Sequence, residues 1–307
     1  MDKVLNVVYE AFGSPQIYYA GPEGTVWFSN KRNENCYNAF WGSCSDPRPD
    51  DSFVVMEPIV TDPGQYDIVQ LSKFRKVFAS FNKVFSNILG EKFAPINHGT
   101  EIVHKNADEL RDGWLPWDQR KHAVIIVAAA NKISSHPASI YPLRIMLADF
   151  FYENNFQIDW YGYTNCDRPY YRGRIPSEQD KIKKIGEYRF TICTENTYDP
   201  IYSYNYLTEK LPHAIYGGAL PLYMGCYNID ELAPKHSFFD LRNFVIRDNG
   251  KIILLKQPLL EAINSFTKEN FERYQETAYK FIKDPRGLSY HADMRRFFRQ
   301  MLKEYYP

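Results

Sequence analysis

The chain has 307 residues, room for two ordinary domains, and 44% of them are hydrophobic, so a packed core is expected. Its 37 Lys and Arg balance 37 Asp and Glu. That argues against a nucleic-acid binder, which needs a cationic surplus. No run approaches the roughly 18 apolar residues of a membrane span, and the N-terminus shows no apolar leader. The expectation is a cytoplasmic protein with no integral membrane segment.

Five cysteines stand at 36, 44, 166, 193 and 226. The odd count and the lack of CxxC spacing argue against a zinc site and a dense disulfide framework. Cys193 and Cys226 lie in or beside apolar runs and read as core; a Cys36–Cys44 bridge stays open. The histidines show no metal-ligand spacing, and no metal is assigned. Aromatics make up 16% of the chain, with 24 Tyr and 21 Phe. Tyrosine suits sugar rings, because its flat face stacks on C–H groups while its hydroxyl hydrogen-bonds.

The first third reads as irregular, and "NKRNENCYNAFWGSCSDPRPDD" as a polar, proline-bearing loop region. "SFVVMEP" reads as a short buried strand that stops at Pro58. "KVFASF" and "AVIIVAAA" (Ala123–Ala130) are further strands, the second apolar throughout, as in a parallel strand covered on both faces. An amphipathic helix follows from about Pro142. "FQIDWYG" and "EYRFTIC" read as strands, "EKLPHAIYGG" as a helix closed by glycines, and "ALPLYMG" as a strand. "HSFFDL" is a short extended piece, and two helices near 257–282 and 289–305 end the chain. From Ala123 onward strands and helices alternate, which predicts a doubly wound parallel sheet. Asp112–His122 reads as a linker between two α/β halves.

Ligands bind such sheets at the carboxyl ends of the strands. Behind "YRFTIC" lies "TENTYDPIYSYNYLTEKL", longer than a connection requires and carrying charges of both signs. Within it, Thr197–Asn205 are expected to be mobile without ligand and ordered with it. A phosphorylated, ribose-bearing ligand would suit it. Lys210 would meet a phosphate near a helix N-terminus. Glu209 could accept from ribose hydroxyls, and Arg144 could clamp a diphosphate bidentately. "GYTNCDRPYYRGR" (Gly162–Arg174) reads either as a loop over that site or as a solvated loop.

"TEN" (Thr194–Asn196), "YLTEK" (Tyr206–Lys210), "YGGALPLYMG" and "SFFDLRNF", in that order, resemble the signature of the α1,3/4-fucosyltransferase family. The match spans roughly 123–244. "VVMEPIVTDPGQYD" resembles the family's base-bearing segment. The resemblance implies an α/β, GT-B-like fold: two Rossmann-like domains facing across a cleft. It implies an acceptor domain over 1–118, a nucleotide-sugar domain over 119–285, and a C-terminal helix over 286–307 that crosses back to the first. It implies an inverting transferase that moves L-fucose from GDP-fucose to a glycan hydroxyl, with no required cofactor. Its partners would be the nucleotide-sugar donor and the glycan acceptor. Glu57 would be the general base; Arg144 and Lys210 would contact the diphosphate, Glu209 the ribose, and Asn196 and Tyr206 the donor pocket. Thr194 departs from the family's usual Phe, and the segment between Asn196 and Thr208 is longer than the family's. A different GDP- or UDP-sugar donor, or an inactive nucleotide- or glycan-binding relative, are the alternatives.

Overall fold

The computed structural model describes residues 3–9, 15–80, 82–96, 106–163, 166–248 and 250–306. Among these, two sheets dominate. The first has seven strands: β1 (Val4–Val8), β2 (Gln16–Gly21), β3 (Gly24–Ser29), β4 (Tyr37–Trp41), β5 (Ser52–Val55), β6 (Lys76–Ala79) and β7 (Phe93–Pro95). They lie in the order β2-β3-β1-β4-β5-β6-β7, all parallel except the β2–β3 pair.

The four strands β1 to β4 lie where the sequence suggested irregular chain. Their apolar residues are interrupted by Asn6, Ser29 and Asn38, all of them buried. These polar groups bond one another: Asn6 Nδ2 donates to Asn38 Oδ1 at 2.9 Å, and Ser29 Oγ to Asn6 Oδ1 at 2.8 Å. Satisfied in this way, they sit inside the sheet at little cost.

The second sheet contains β8 (Lys121–Val127), β9 (Gln157–Tyr161), β10 (Tyr171–Gly173), β11 (Tyr188–Thr194), β12 (Leu220–Met224) and β13 (Phe239–Asp240). It is parallel throughout, in the order β10-β9-β8-β11-β12-β13. From β8 the chain winds outward one way through β9 and β10, then returns to β11 and winds the other way. The doubly wound expectation holds.

Asp112–His122 is packed, not a free linker. Trp114 Nε1 donates to Tyr216 O at 2.9 Å. The Arg120 guanidinium is buried and donates to Leu115 O, Gly186 O and Tyr188 O at 2.7, 2.8 and 3.2 Å, and burial pushes its pKa down to about 10. The run 257–282 is two helices, Lys256–Asn264 and Lys268–Lys283, the second opened by a Thr267–Asn270 capping box.

The last helix, Met294–Tyr305, returns to the first sheet. Phe297, Phe298, Met301, Leu302 and Tyr305 form one helical face. They pack against Leu5, Val7, Val26, Phe28, Ala39, Val54 and Phe78. All five cysteines are free thiols.

Candidate active site

The second sheet changes winding direction between β8 and β11. The open ends of parallel strands at such a point form a crevice. Here the crevice is a cleft of about 310 Å³. Val127–Ala129 at the end of β8, Gly162 and Tyr163 after β9, and Asn196 after β11 line it. Five cationic side chains line it, Lys132, Arg144, Arg174, Lys181 and Lys210, against the acidic Glu57, Glu178 and Glu209. The surplus of positive charge suits a polyanion.

Glu195 organises the motif segment from below. Its side chain has 0% exposure, and its carboxylate accepts from Thr208 N at 3.0 Å and Thr208 Oγ1 at 2.6 Å. It also pairs with Lys210 Nζ at 3.1 Å. A buried carboxylate needs such partners. Gly225, just past β12, leaves space for it: a Cβ there would overlap Glu195 Cβ and Cγ. The sequence motifs gave Glu195 no role of its own. Its burial depends on β12 passing alongside, which no local pattern reveals.

Lys210 opens the helix Lys210–Tyr216. Its ammonium is engaged within the protein: Nζ donates to Thr208 Oγ1 at 2.9 Å and pairs with Glu195 and, at 3.5 Å, with Glu209 Oε1. Burial alone would lower its pKa; Glu195 and Glu209 outweigh burial and raise it. It is a firmly charged lysine, shared with two carboxylates, and not a lone cation awaiting a phosphate.

Arg144 is likewise engaged within the protein. It lies on the helix Tyr141–Glu153 and is 3% exposed. Nε donates to Thr194 Oγ1 at 3.1 Å, and Nη2 to Thr194 O, Glu195 O and Asn196 Oδ1 at 2.9, 3.0 and 2.8 Å. The Nε–Nη2 edge of the fork holds the end of β11, so a bidentate clamp through that edge is closed to a ligand. Nη1 is the nitrogen outside these bonds. Thr194, the departure from the family's usual Phe, supplies two of the acceptors.

Asn196 is 8% exposed, lines the cleft, and accepts from Arg144. Glu209 lines it too, with Lys181 Nζ at 3.5 Å. Tyr206 faces the cleft and also enters the core of the first half, packing with Val8, Phe40 and Phe53. Its phenol pKa lies well above the ordinary range, first through burial and then through Glu195. It is therefore a packing residue and a cleft residue at once.

The structure adds Lys132, Tyr163, Arg174 and Lys181 to the predicted set. Arg174 lies over the Tyr163 ring at 4.3 Å, so the Gly162–Arg174 segment does border the site; residues 164 and 165 lie outside the described residues. Lys181 comes from the helix Glu178–Gly186, capped by Ser177. The Ser-x-x-Asp spacing was legible as a cap, but nothing local aimed that helix at the cleft.

The segment 197–205 carries hydrogen bonds at several points along its length. Thr197 pairs with Ser139, and Asp199 Oδ1 accepts from Ile201 N and Tyr202 N at 2.8 and 3.1 Å. Asn205, at φ 63°, exchanges side-chain and backbone bonds with Asn228. Asn tolerates that left-handed conformation better than most residues.

Glu57 follows β5, at the carboxyl end of the first sheet, and lines the cleft opposite the cations. Pro58 restricts its backbone to extended conformations. The buried Gln65 Oε1 accepts from Met56 N and Glu57 N at 2.9 and 3.2 Å, and Tyr66 OH donates to Glu57 O at 3.3 Å. These hydrogen bonds are made by the Glu57 backbone, and the residue lines the cleft. Asp62 and Asp67 are engaged instead as caps of the short helices that follow.

Residues 118–254 match the family described as glycosyltransferase family 10 (fucosyltransferase), C-terminal part. This segment is a glycosyltransferase family 10 domain. Arg144, Asn196, Tyr206, Glu209 and Lys210 fall inside the family 10 domain, and Glu57 falls outside it. An alpha-(1,4)-fucosyltransferase of Arabidopsis thaliana is 28% identical over 92 residues, 30% of this chain and 18% of that protein. The chain thus matches less than a fifth of that relative's length. Over the whole chain the similarity is one of fold. An alpha-glucosyltransferase in complex with UDP and a 13-mer DNA superposes with TM-score 0.55 at 10% identity, covering 87% of this chain and 79% of that one. A trehalose-6-phosphate synthase, OtsA, gives 0.52 at 8% identity, covering 89% and 73%. The two α/β sheets match the fold of GT-B glycosyltransferase structures, and the second sheet lies within the family 10 segment.

Among the described residues, no helix is long and apolar enough to cross a membrane. No group of three or more His, Cys, Asp or Glu among them could hold a metal ion.

Proposed function

We propose that the chain is an inverting fucosyltransferase that moves L-fucose from GDP-fucose to a hydroxyl of a glycan acceptor. The first half would hold the acceptor and the second the donor. The observation that carries this is Glu57: it is the residue from the first sheet in a cleft whose other lining groups come from the second half. Its carboxylate would take the acceptor's hydroxyl proton. The acceptor oxygen then attacks the anomeric carbon from the face opposite the diphosphate, and the carbon–oxygen bond to GDP breaks with its electron pair. Lys210 and the Nη1 group of Arg144 would offset the charge that grows on the departing diphosphate, where electrostatic help lowers the barrier most. Glu209 would accept from ribose hydroxyls. The reaction needs these protein groups and the two substrates.

The length of the bonded segment 197–205, beside the donor residues, favours one second reading: a different nucleotide sugar. The inactive-binder reading has less support, because its mark would be a Glu57 turned out of the cleft. Nucleotide release with GDP-fucose, other GDP-sugars and UDP-sugars, each with a panel of glycans, tests the donor. Glu57→Gln keeps the side chain's size but cannot take the proton. Turnover is expected to fall roughly 10²–10⁴-fold, with GDP affinity measured by calorimetry unchanged. Near-normal turnover in a folded variant would exclude Glu57 as the base.

A further inference from the structure

The turn that follows Glu57 is docked on the opposite half of the molecule. Thr61 N and Asp62 N both donate to Pro58 O, at 2.8 and 3.1 Å, which closes the turn. Ile59 and Val60 of this turn pack with Ala138, Tyr141 and Tyr202 of the second half. Val60, Ala138 and Tyr141 are 4%, 2% and 4% exposed. Within this cluster the Thr61 hydroxyl and the Tyr141 phenol share a hydrogen bond of 2.6 Å, and Asn196 Nδ2 reaches the same Thr61 oxygen at 3.5 Å. Tyr141 begins the helix that carries Arg144, and the guanidinium stands 5.3 Å from the centre of its ring. One short path therefore runs from Glu57 through Thr61 and Tyr141 to the cationic side of the cleft.

The apolar contacts alone would hold the turn against the second half without fixing how it is rotated, because hydrophobic association is non-directional. A short hydroxyl–hydroxyl bond supplies the direction. Its Tyr141 side is buried, 4% exposed, so removing the Thr61 hydroxyl takes from the phenol a partner that water does not readily replace. We propose that the Thr61–Tyr141 contact is a latch that registers Glu57 against the donor side of the cleft. Thr61 and Tyr141 are positioning residues: they act through Glu57 and on no reacting atom. The inference rests on Glu57 being the base.

Thr61→Val and Tyr141→Phe delete the hydroxyls and keep the packing. Thermal unfolding first confirms that each variant folds. With GDP-fucose and an accepted glycan, each is expected to lower kcat roughly 10- to 100-fold, the cost of misplacing a reacting group by about an ångström. The donor KM should stay within about twofold of wild type. The deciding comparison is Tyr141→Phe in the Glu57→Gln background. A latch that acts through the base adds no further loss once the base is gone; the same fold-loss in both backgrounds overturns the inference. A raised donor KM with intact kcat overturns it too, by assigning the pair to donor binding.

Hydrogen exchange of the peptide covering Glu57–Tyr66 reads the latch without turnover. Faster exchange in both variants is expected, and unchanged exchange refutes the latch. If wild type transfers nothing from any donor, the proposed function fails, while the exchange comparison still decides whether this contact holds the Glu57 turn.

Discussion

Replacing Glu195 with Gln removes one charge from the centre of the site and leaves its shape. The native carboxylate, at 0% exposure, accepts from Thr208 N, Thr208 Oγ1 and Lys210 Nζ. A Gln can still accept from Thr208 N. Its amide NH₂ then faces the Thr208 hydroxyl and the Lys210 ammonium, and Lys210 keeps Thr208 Oγ1 at 2.9 Å but only Glu209, at 3.5 Å, as a carboxylate partner. A hydrogen bond to a charged group contributes about 1.5–3 kcal/mol. Breaking a buried pair by removing one partner costs about 3–5 kcal/mol. The two figures describe overlapping losses and do not add. The Lys210 side chain is 14% exposed, so water softens the loss toward about 3 kcal/mol. At 2–4 °C per kcal/mol for a unit of about 150–250 residues, the melting temperature should drop by roughly 6–12 °C. Circular dichroism during thermal unfolding measures it, and a drop below about 2 °C would refute the argument.

The same substitution has a pH signature. Lys210 has its pKa raised above 10.5 in the folded protein. A raised cation pKa contributes stability that is complete below the unfolded value and is lost as pH rises through the folded one. Wild type should therefore lose stability to alkali above about pH 10.5, and Glu195→Gln should lose less across that window. Parallel curves for the two proteins would show that Glu195 does not set the charge of Lys210.

Arg144→Ala strips the donor from Thr194 Oγ1, Thr194 O, Glu195 O and Asn196 Oδ1. It should destabilise by more than about 3 kcal/mol and weaken GDP at least tenfold, and Arg144→Lys should rescue neither fully, because an ammonium cannot reproduce the fork. Calorimetric titration with GDP alongside denaturant unfolding checks both. Ending the chain before Met294 removes five buried side chains from the first sheet. At about 1.5–3 kcal/mol each, that approaches the whole stability of a typical domain, so soluble, cooperatively unfolding protein should not be recovered. A sharp melting transition in the truncated protein would contradict this.

The second sheet was legible because its strands are buried on both faces. "AVIIVAAA", "EYRFTIC" and "ALPLYMG" are apolar runs bounded by helical patterns, and that arrangement admits little but a parallel sheet. The first sheet hid its opening strands for a specific reason. Asn6, Ser29 and Asn38 break the apolar pattern, and they are tolerated because they bond one another across strands far apart in sequence. The packing of Asp112–His122 was hidden for a similar reason. Its anchors, Trp114 and Arg120, find their partners at Gly186, Tyr188 and Tyr216. A polar or aromatic residue looks like loop until its distant partner is known.

The candidate site shows the same division with more consequence. Position behind the strand ends pointed to Arg144, Glu209 and Lys210, the family resemblance added Glu57, Asn196 and Tyr206, and all six line one cleft. What spacing could not show is that the two chief cations are already engaged, Lys210 with Glu195 and Arg144 with the end of β11. Under the proposed function this changes what donor binding must accomplish. A diphosphate does not meet a bare ammonium. It competes with Glu195 and Glu209 for one that both already stabilise, and the affinity it gains is the difference between two sets of partners. Such a difference is small beside either term, and the charge that grows on the leaving group shifts it toward the ligand. Lys210 should therefore contribute more to the transition state than to the bound donor, the differential that raises turnover rather than affinity. Lys210→Ala should then lower kcat by a larger factor than it raises the GDP dissociation constant. Steady-state kinetics beside calorimetry compares the two, and a loss confined to GDP affinity would mean that the ammonium leaves its carboxylates when the donor first binds.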